Sequence, residues 1–161
     1  MKVFLVVATL CSYVSGEAQP TLFGHYRSFF GRSIRLHLDH SFLYEWHFDL
    51  MSSWSQGTFT VIHDTVYLTM IPVFDTIQVS KSGQPADSLI LAEDLQPKRT
   101  VPPDPTMLSS GGQNREDCPK VLVYQHNRLY EIDVKGKLIR KKQKGFSSNR
   151  KFEPWYIKQP D

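Results

Sequence analysis

The chain has 161 residues, 40% of them hydrophobic and 22% charged, and a formal net charge of +3. That is one domain's worth of sequence, long enough to bury a core without covalent staples. So small a positive balance gives no ground for a nucleic-acid partner, and two cysteines exclude a disulfide framework.

Lys2, the apolar run Val3 to Leu10 and the small residues Ser15, Gly16 and Ala18 have the layout of a secretory signal peptide. The apolar run is too short to span a bilayer, so no transmembrane segment is expected in the mature chain. Residues 1–18 are read as the leader and 19–161 as a single exported domain, periplasmic or secreted. A lipoprotein would carry a small residue before its modified cysteine, and Leu10 precedes Cys11. Cys118 alone is then left, and an exported chain with one cysteine has no internal disulfide.

From Leu22 to Val79 apolar residues recur at every second position, the period of half-buried strands. Leu22 to Phe29 makes the first strand, turning at Gly31. In "SIRLHLDHSFLYEWHFDL" a three-residue Asp39-His40-Ser41 loop opposes Leu38 to Phe42, Leu36 to Tyr44 and Ile34 to Trp46, putting every large apolar residue on one face. That register also sets Arg35 against Glu45 outside. "GTFTVIHDTVYLTMIP" reads as a hairpin with a two-residue His63-Asp64 turn, opposing Val61 to Val66 and Phe59 to Leu68. Thr60 beside Tyr67 and Thr58 beside Thr69 then form its outer surface.

Asp87 to Leu91 supplies a further short strand. Residues 96–119 are rich in Pro, Gly, Ser and charge, which predicts a long mobile connection. Beyond it, His126-Asn127 and Lys135-Gly136 mark two more hairpin turns, placing Val121, Val123, Tyr130, Ile132 and Ile139 on one face. No helical period is sustained and no repeat occurs. The fold class is therefore all-β: a small antiparallel barrel or sandwich of consecutive hairpins.

Little in the sequence announces catalysis. Asp39-His40 and His63-Asp64 are explained by turn chemistry, and no nucleophile elbow, zincin pair, Cys-x-x-Cys or phosphate-cradling loop occurs. Glu45, His47 and Asp49 share one strand face, with His37 and His25 on neighbouring strands, but polar residues belong on an outer wall without a metal. No catalytic residue, metal site or cofactor is assigned.

Aromatic content is the stronger clue. Tyr26, Tyr44, Trp46 and Phe59 point inward, either as a packed core or as the lining of a cavity for an apolar or amphipathic small molecule. Trp54, in the "SSWSQG" connection, offers an exposed indole to a partner. The C-terminal stretch crowds Lys135, Lys137, Arg140, Lys141, Lys142, Lys144, Arg150, Lys151 and Lys158 against only Glu153 and Asp161. Of these, Arg140, Lys141 and Lys142 are the candidate contacts to an envelope protein or an anionic surface. Trp155, with Pro154 and Tyr156, is expected to pack back on the barrel.

Gly24-x-Tyr26, Leu36-x-Leu38-Asp39, Ser41-Phe42-x-Tyr44, Gly57-x-Phe59 and Asp64-Thr65-Val66-Tyr67-Leu68 together resemble small exported bacterial β-barrel proteins of lipocalin-like type. The resemblance covers residues 22–79 and implies a lipocalin-like barrel. It carries no ligand residues across. The functional expectation is a non-enzymatic binding module holding a small molecule inside the barrel, and the alternative is a protein acting on partners through surface loops and the basic C-terminal stretch.

Overall fold

The computed structural model describes residues 22–81, 83–96, 98–100 and 111–160. Residues 1–18, expected to be a leader, and with them Cys11, lie outside the described residues. Eight strands close an antiparallel barrel: β1 (Gly24–Arg27), β2 (Arg32–Leu36), β3 (Ser41–Phe48), β4 (Met51–Ile62), β5 (Thr65–Met70), β9 (Val121–Gln125), β10 (Arg128–Glu131) and β13 (Tyr156–Lys158). Each pairs with the barrel strand before it, and β13 returns to β1 to close the ring. Closure removes the free edges that an open sheet would expose. An eight-stranded ring of this kind is compatible with a lipocalin-like fold. The described residues contain no helix, and so none long and apolar enough to cross a membrane.

Two excursions leave the ring. Between β5 and β9, strands β6 (Phe74–Lys81), β7 (Gln84–Leu91) and β8 (Arg99–Thr100) form a separate three-stranded sheet. Between β10 and β13, β11 (Gln143–Lys144) and β12 (Lys151–Phe152) make a small hairpin.

The His63-Asp64 hairpin has the expected register, with Val61 against Val66, Phe59 against Leu68, Thr60 against Tyr67 and Thr58 against Thr69. His63 supplies the positive φ that a tight turn requires. The β2–β3 hairpin corrects the expectation. Its three-residue loop is Leu38-Asp39-His40, so Leu36 opposes Phe42, Ile34 opposes Tyr44 and Arg32 opposes Trp46. The Asp39 carboxylate accepts from the Ser41 amide at 2.9 Å and its hydroxyl at 2.6 Å, which holds Asp39 mid-turn and makes Ser41 the first strand residue. The pairing moves by two positions, an even step, so the inward set survives. Leu38 does not: it sits in the loop, 78% exposed. Arg35 faces Leu43, and Glu45 faces Ser33.

β3 and β4 fill the barrel by opposing large to small. Phe42 lies across from Gly57, Tyr44 from Ser55 and Trp46 from Ser53. Ser53 and Ser55 are as buried as Phe42 and Tyr44. The "SSWSQG" stretch is therefore strand, not connection. Its alternation is hidden because the inward positions are small and polar. With Tyr26, Ile34, Leu36, Phe59, Val66, Leu122, Leu129 and Tyr156, these side chains form one continuous core.

On β9 and β10 the inward residues are Leu122 and Leu129, so Val121, Val123 and Tyr130 share the outer face. Tyr130 is nonetheless buried, because Trp155 and Arg140 lie over its ring. Trp155 and Pro154 pack back on the barrel as expected. The described part of the 96–119 connection is anchored rather than mobile: β8 pairs in parallel with β6, and Gln113 bonds the backbone of Val73 and Ile71.

Candidate functional site

Tyr26, Tyr44 and Phe59 lie where the sequence puts them, inside the barrel and almost fully buried, and Trp46 packs half-buried against the same core. The Tyr26 hydroxyl donates to the Leu22 carbonyl at 2.6 Å. Burial pushes the Tyr26 and Tyr44 hydroxyls above their ordinary value of 10.0.

One end of the interior is polar. The Arg32 guanidinium bonds Glu116 at 2.8 Å and reaches Glu131 at 3.4 Å, and the Tyr156 hydroxyl donates to Glu131 at 2.8 Å. Burial works against the charge on Arg32, but Tyr156, Glu131, Tyr44 and Glu116 outweigh it and hold the guanidinium protonated. This network ties β2, β10 and β13 to the returning 111–119 segment. The Glu116 amide donates to the Ser53 hydroxyl, and the Ser55 hydroxyl to Asn114. Most of these polar groups are spent on one another and tie this end of the barrel together, while the Arg32 Nε and the Tyr44 hydroxyl are buried here without a hydrogen-bond partner among the described residues.

Trp54 is corrected. Its indole is 8% exposed on the outer wall, and its Nε1 donates to the Glu93 carbonyl at 2.6 Å. The backbone of Trp54 also bonds Gly112 and Asn114. It holds the segments around residues 93 and 113 against β4 instead of meeting a partner. Arg140, Lys141 and Lys142 are exposed as expected. Arg140 bonds Gln125 and covers Tyr130, and Lys142 pairs with Glu153 at 3.1 Å.

Three grooves formed by described residues are open and lie at the rims and outer wall. One of about 630 Å³ is lined by His25, Arg35, His37, Lys158 and neighbours, and one of about 390 Å³ crosses the outside of β3 and β4. Neither includes Tyr26, Tyr44, Trp46 or Phe59. Among the described residues no group of three or more His, Cys, Asp or Glu is placed to hold a metal ion.

The third of these grooves, of about 410 Å³, is chemically distinct. Phe29, Phe30 and Gly31 from the β1–β2 turn, Phe48 and Asp49 from the β3–β4 turn and Phe146 and Phe152 from the small hairpin line it. Their rings form a chain from core to solvent. Trp46 stacks on Phe48 at 6.3 Å, Phe48 meets Phe146 at 4.3 Å, Phe146 meets Phe30 at 6.0 Å, and Phe29 stacks on Phe152 at 3.5 Å. The outer members stay wet: Phe29 is 56% and Phe146 66% exposed. Beside them in the β3–β4 turn Leu50 is 81% exposed.

The hairpin that lends Phe152 to this groove also carries exposed lysines, which do not line the groove themselves. β11 and β12 pair Gln143 with Phe152 and Lys144 with Lys151. Two lysines directly opposite on a ladder repel, a destabilising arrangement for a hairpin two rungs long. Gly145 lets it close, since a Cβ there would lie 2.7 Å from the Phe152 ring. Arg150 adds a third exposed cation, and among the described residues Asp49 is the one acid lining the groove.

The sequence pointed to the basic stretch but not to this rim. Its signal was present in Phe29-Phe30 before a glycine and in Lys144-Gly145-Phe146 and Lys151-Phe152, where cations adjoin aromatics. These segments lie more than a hundred residues apart and meet only because the barrel closes. No protein-family model matches the chain, and no curated protein and no solved structure matches it significantly.

Proposed function

We propose that this chain is an exported, non-enzymatic binding module of lipocalin-like build that takes an anionic amphipathic molecule at the aromatic and basic rim of its barrel. The apolar part lies along Phe29, Phe48 and Phe146, and the anionic head meets Lys144, Arg150 and Lys151. The observation that carries the reading is the exposed Lys144–Lys151 rung on the same short hairpin whose Phe152 helps to wall a phenylalanine-lined groove: repulsion that costs the hairpin stability is relieved by a negative ligand, and exposed rings are relieved by an apolar one.

A ligand held wholly inside the barrel is the reading with less support, because Tyr26, Tyr44 and Phe59 pack in one buried cluster and line none of the three grooves described above. Binding sites combine apolar walls with a few placed polar groups, and the rim has both. The test is titration with dodecyl phosphate below its micelle concentration, followed by tryptophan fluorescence and calorimetry. Saturable binding is expected, weakened at least tenfold in the Lys144→Glu, Lys151→Glu double variant. Saturable binding that the rim substitutions leave unchanged would move the ligand into the interior, and no binding at all would end the proposal.

A further inference from the structure

Resting on that reading, we propose that the partner at this rim is the surface of an anionic phospholipid bilayer, onto which the barrel docks end-on with Phe29, Phe146 and Leu50 entering the interfacial layer and Lys144, Arg150 and Lys151 at the level of the head groups.

The geometry favours a surface over a single bound molecule. The groove is open, and the exposed apolar side chains are not confined to it. Leu50 at 81% and Met51 at 49% exposure belong to the β3–β4 hairpin, Phe29 at 56% to the β1–β2 turn, and Phe146 at 66% to the β11–β12 loop. One lipid tail laid along Phe48 and Phe146 would leave Leu50 and Met51 in water. A planar interface covers all of them, because the three turns project from the same end of a closed barrel. Aromatic rings with lysine beside them suit the boundary between head groups and acyl chains, where rings sit at the interface and long cationic stems reach up to the charge.

Charge decides the class of lipid. The rung Lys144–Lys151 and the adjacent Arg150 place three exposed cations on the hairpin and loop that Phe152 fastens to Phe29. Lys142 is partly spent on Glu153, 3.1 Å away, and does not enter the count, and Asp49 beside Leu50 sets one negative charge against the three. Each basic side chain near an anionic surface contributes about fivefold to partitioning, so removing two should cost roughly twenty- to thirtyfold. The attraction falls with salt over the Debye length, about 10 Å at 0.1 M.

Sedimentation of the purified protein with large vesicles tests this directly. With phosphatidylcholine containing 30% phosphatidylglycerol at 0.1 M salt, binding is expected at least tenfold above pure phosphatidylcholine, and it should weaken strongly at 0.5 M salt. Phe146→Ser and Leu50→Ser should each reduce binding severalfold, while Phe146→Leu retains it. Circular dichroism and thermal melting of each variant show whether it has folded. If anionic vesicles fail to bind while dodecyl phosphate monomers still do, the bilayer proposal is overturned and the rim remains a small-molecule site. Equal binding to neutral and anionic vesicles would overturn it as well. If neither vesicles nor monomers bind, both readings fall together.

Discussion

Phe29 and Phe152 lie face to face, ring centroids 3.5 Å apart and planes 3° from parallel, although 123 positions separate them in the sequence. The stack fastens the β11–β12 hairpin to the β1–β2 turn. That hairpin has only two rungs, one of them Lys144 against Lys151, so its own ladder is too short to hold it. Phe152→Ala should release it: amide exchange across 143–152 should accelerate at least tenfold, while global stability falls by only about 0.5–1.5 kcal/mol, the value of an aromatic pair. A large cooperative loss with unchanged exchange in the hairpin would show that the ring belongs to the main core instead.

Gly57 faces the interior on β4 opposite Phe42, and a Cβ there would stand 2.0 Å from the Thr69 carbonyl oxygen. Gly31 is tighter still in its consequences, since it combines φ of 75° with a backbone oxygen of His47 at 2.1 Å from any Cβ. Neither neighbour is a side chain that can swing aside. Gly57→Ala and Gly31→Ala should each cost more than about 2 kcal/mol by urea denaturation. Gly136, also at positive φ but with open space around it, should lose only about 1 kcal/mol on the same change. Equal effects at all three would refute the steric account.

The tyrosines of the interior separate a bonded hydroxyl from an unbonded one. Tyr156 donates to Glu131 at 2.8 Å, within the network that holds Arg32 and Glu116. The Tyr44 hydroxyl is buried with no hydrogen-bond partner among the described residues. Tyr156→Phe should therefore cost about 1.5–3 kcal/mol, the range for a bond to a charged group, and Tyr44→Phe should be neutral to within about 0.5 kcal/mol or stabilising. Urea midpoints of the two variants in parallel decide it; a costly Tyr44→Phe would sink the contrast.

The strand pairs that a sequence can specify are those in which large apolar residues alternate with polar ones and a turn residue fixes the phase. The His63-Asp64 hairpin met both conditions, and its register was legible to the residue. At Leu36-His37-Leu38-Asp39 the phase was legible but the loop position was not, because the Asp39 side-chain bonds to Ser41 decide between two loops of equal length. β4 was half hidden, since Ser53 and Ser55 face inward opposite Tyr44 and Trp46 and read as loop by hydropathy. Trp54 was misjudged for the same reason, its shelter being built from residues 93, 112 and 114 far along the chain. The rim site is the extreme case: nothing local to Phe29 or to Phe146 shows that barrel closure brings them to one groove.

Cys118 is buried beside the polar end of the core, and burial, with a smaller contribution from Glu131, pushes its thiol up from an ordinary 9.0 to about 12. Two consequences follow from the sign. At pH 8 the thiolate fraction in the folded protein is roughly a thousandfold below that of a free thiol, so the native protein should react with a disulfide reagent far more slowly than the urea-unfolded chain. In addition, the unfolded chain gives up the proton near 9.0 while the folded chain keeps it. The contribution to stability is thus complete below pH 9.0 and is lost as pH rises toward 12. Tyr26, Tyr44 and Tyr156, also raised by burial, add the same slope above 10.0. Urea midpoints should hold level to about pH 9 and fall beyond it, and Cys118→Ala should flatten the first part of that fall while leaving the part above 10.0. A native thiol that reacts as fast as the unfolded one, or a midpoint constant to pH 11, would show that Cys118 is reached by solvent and that its end of the barrel is open.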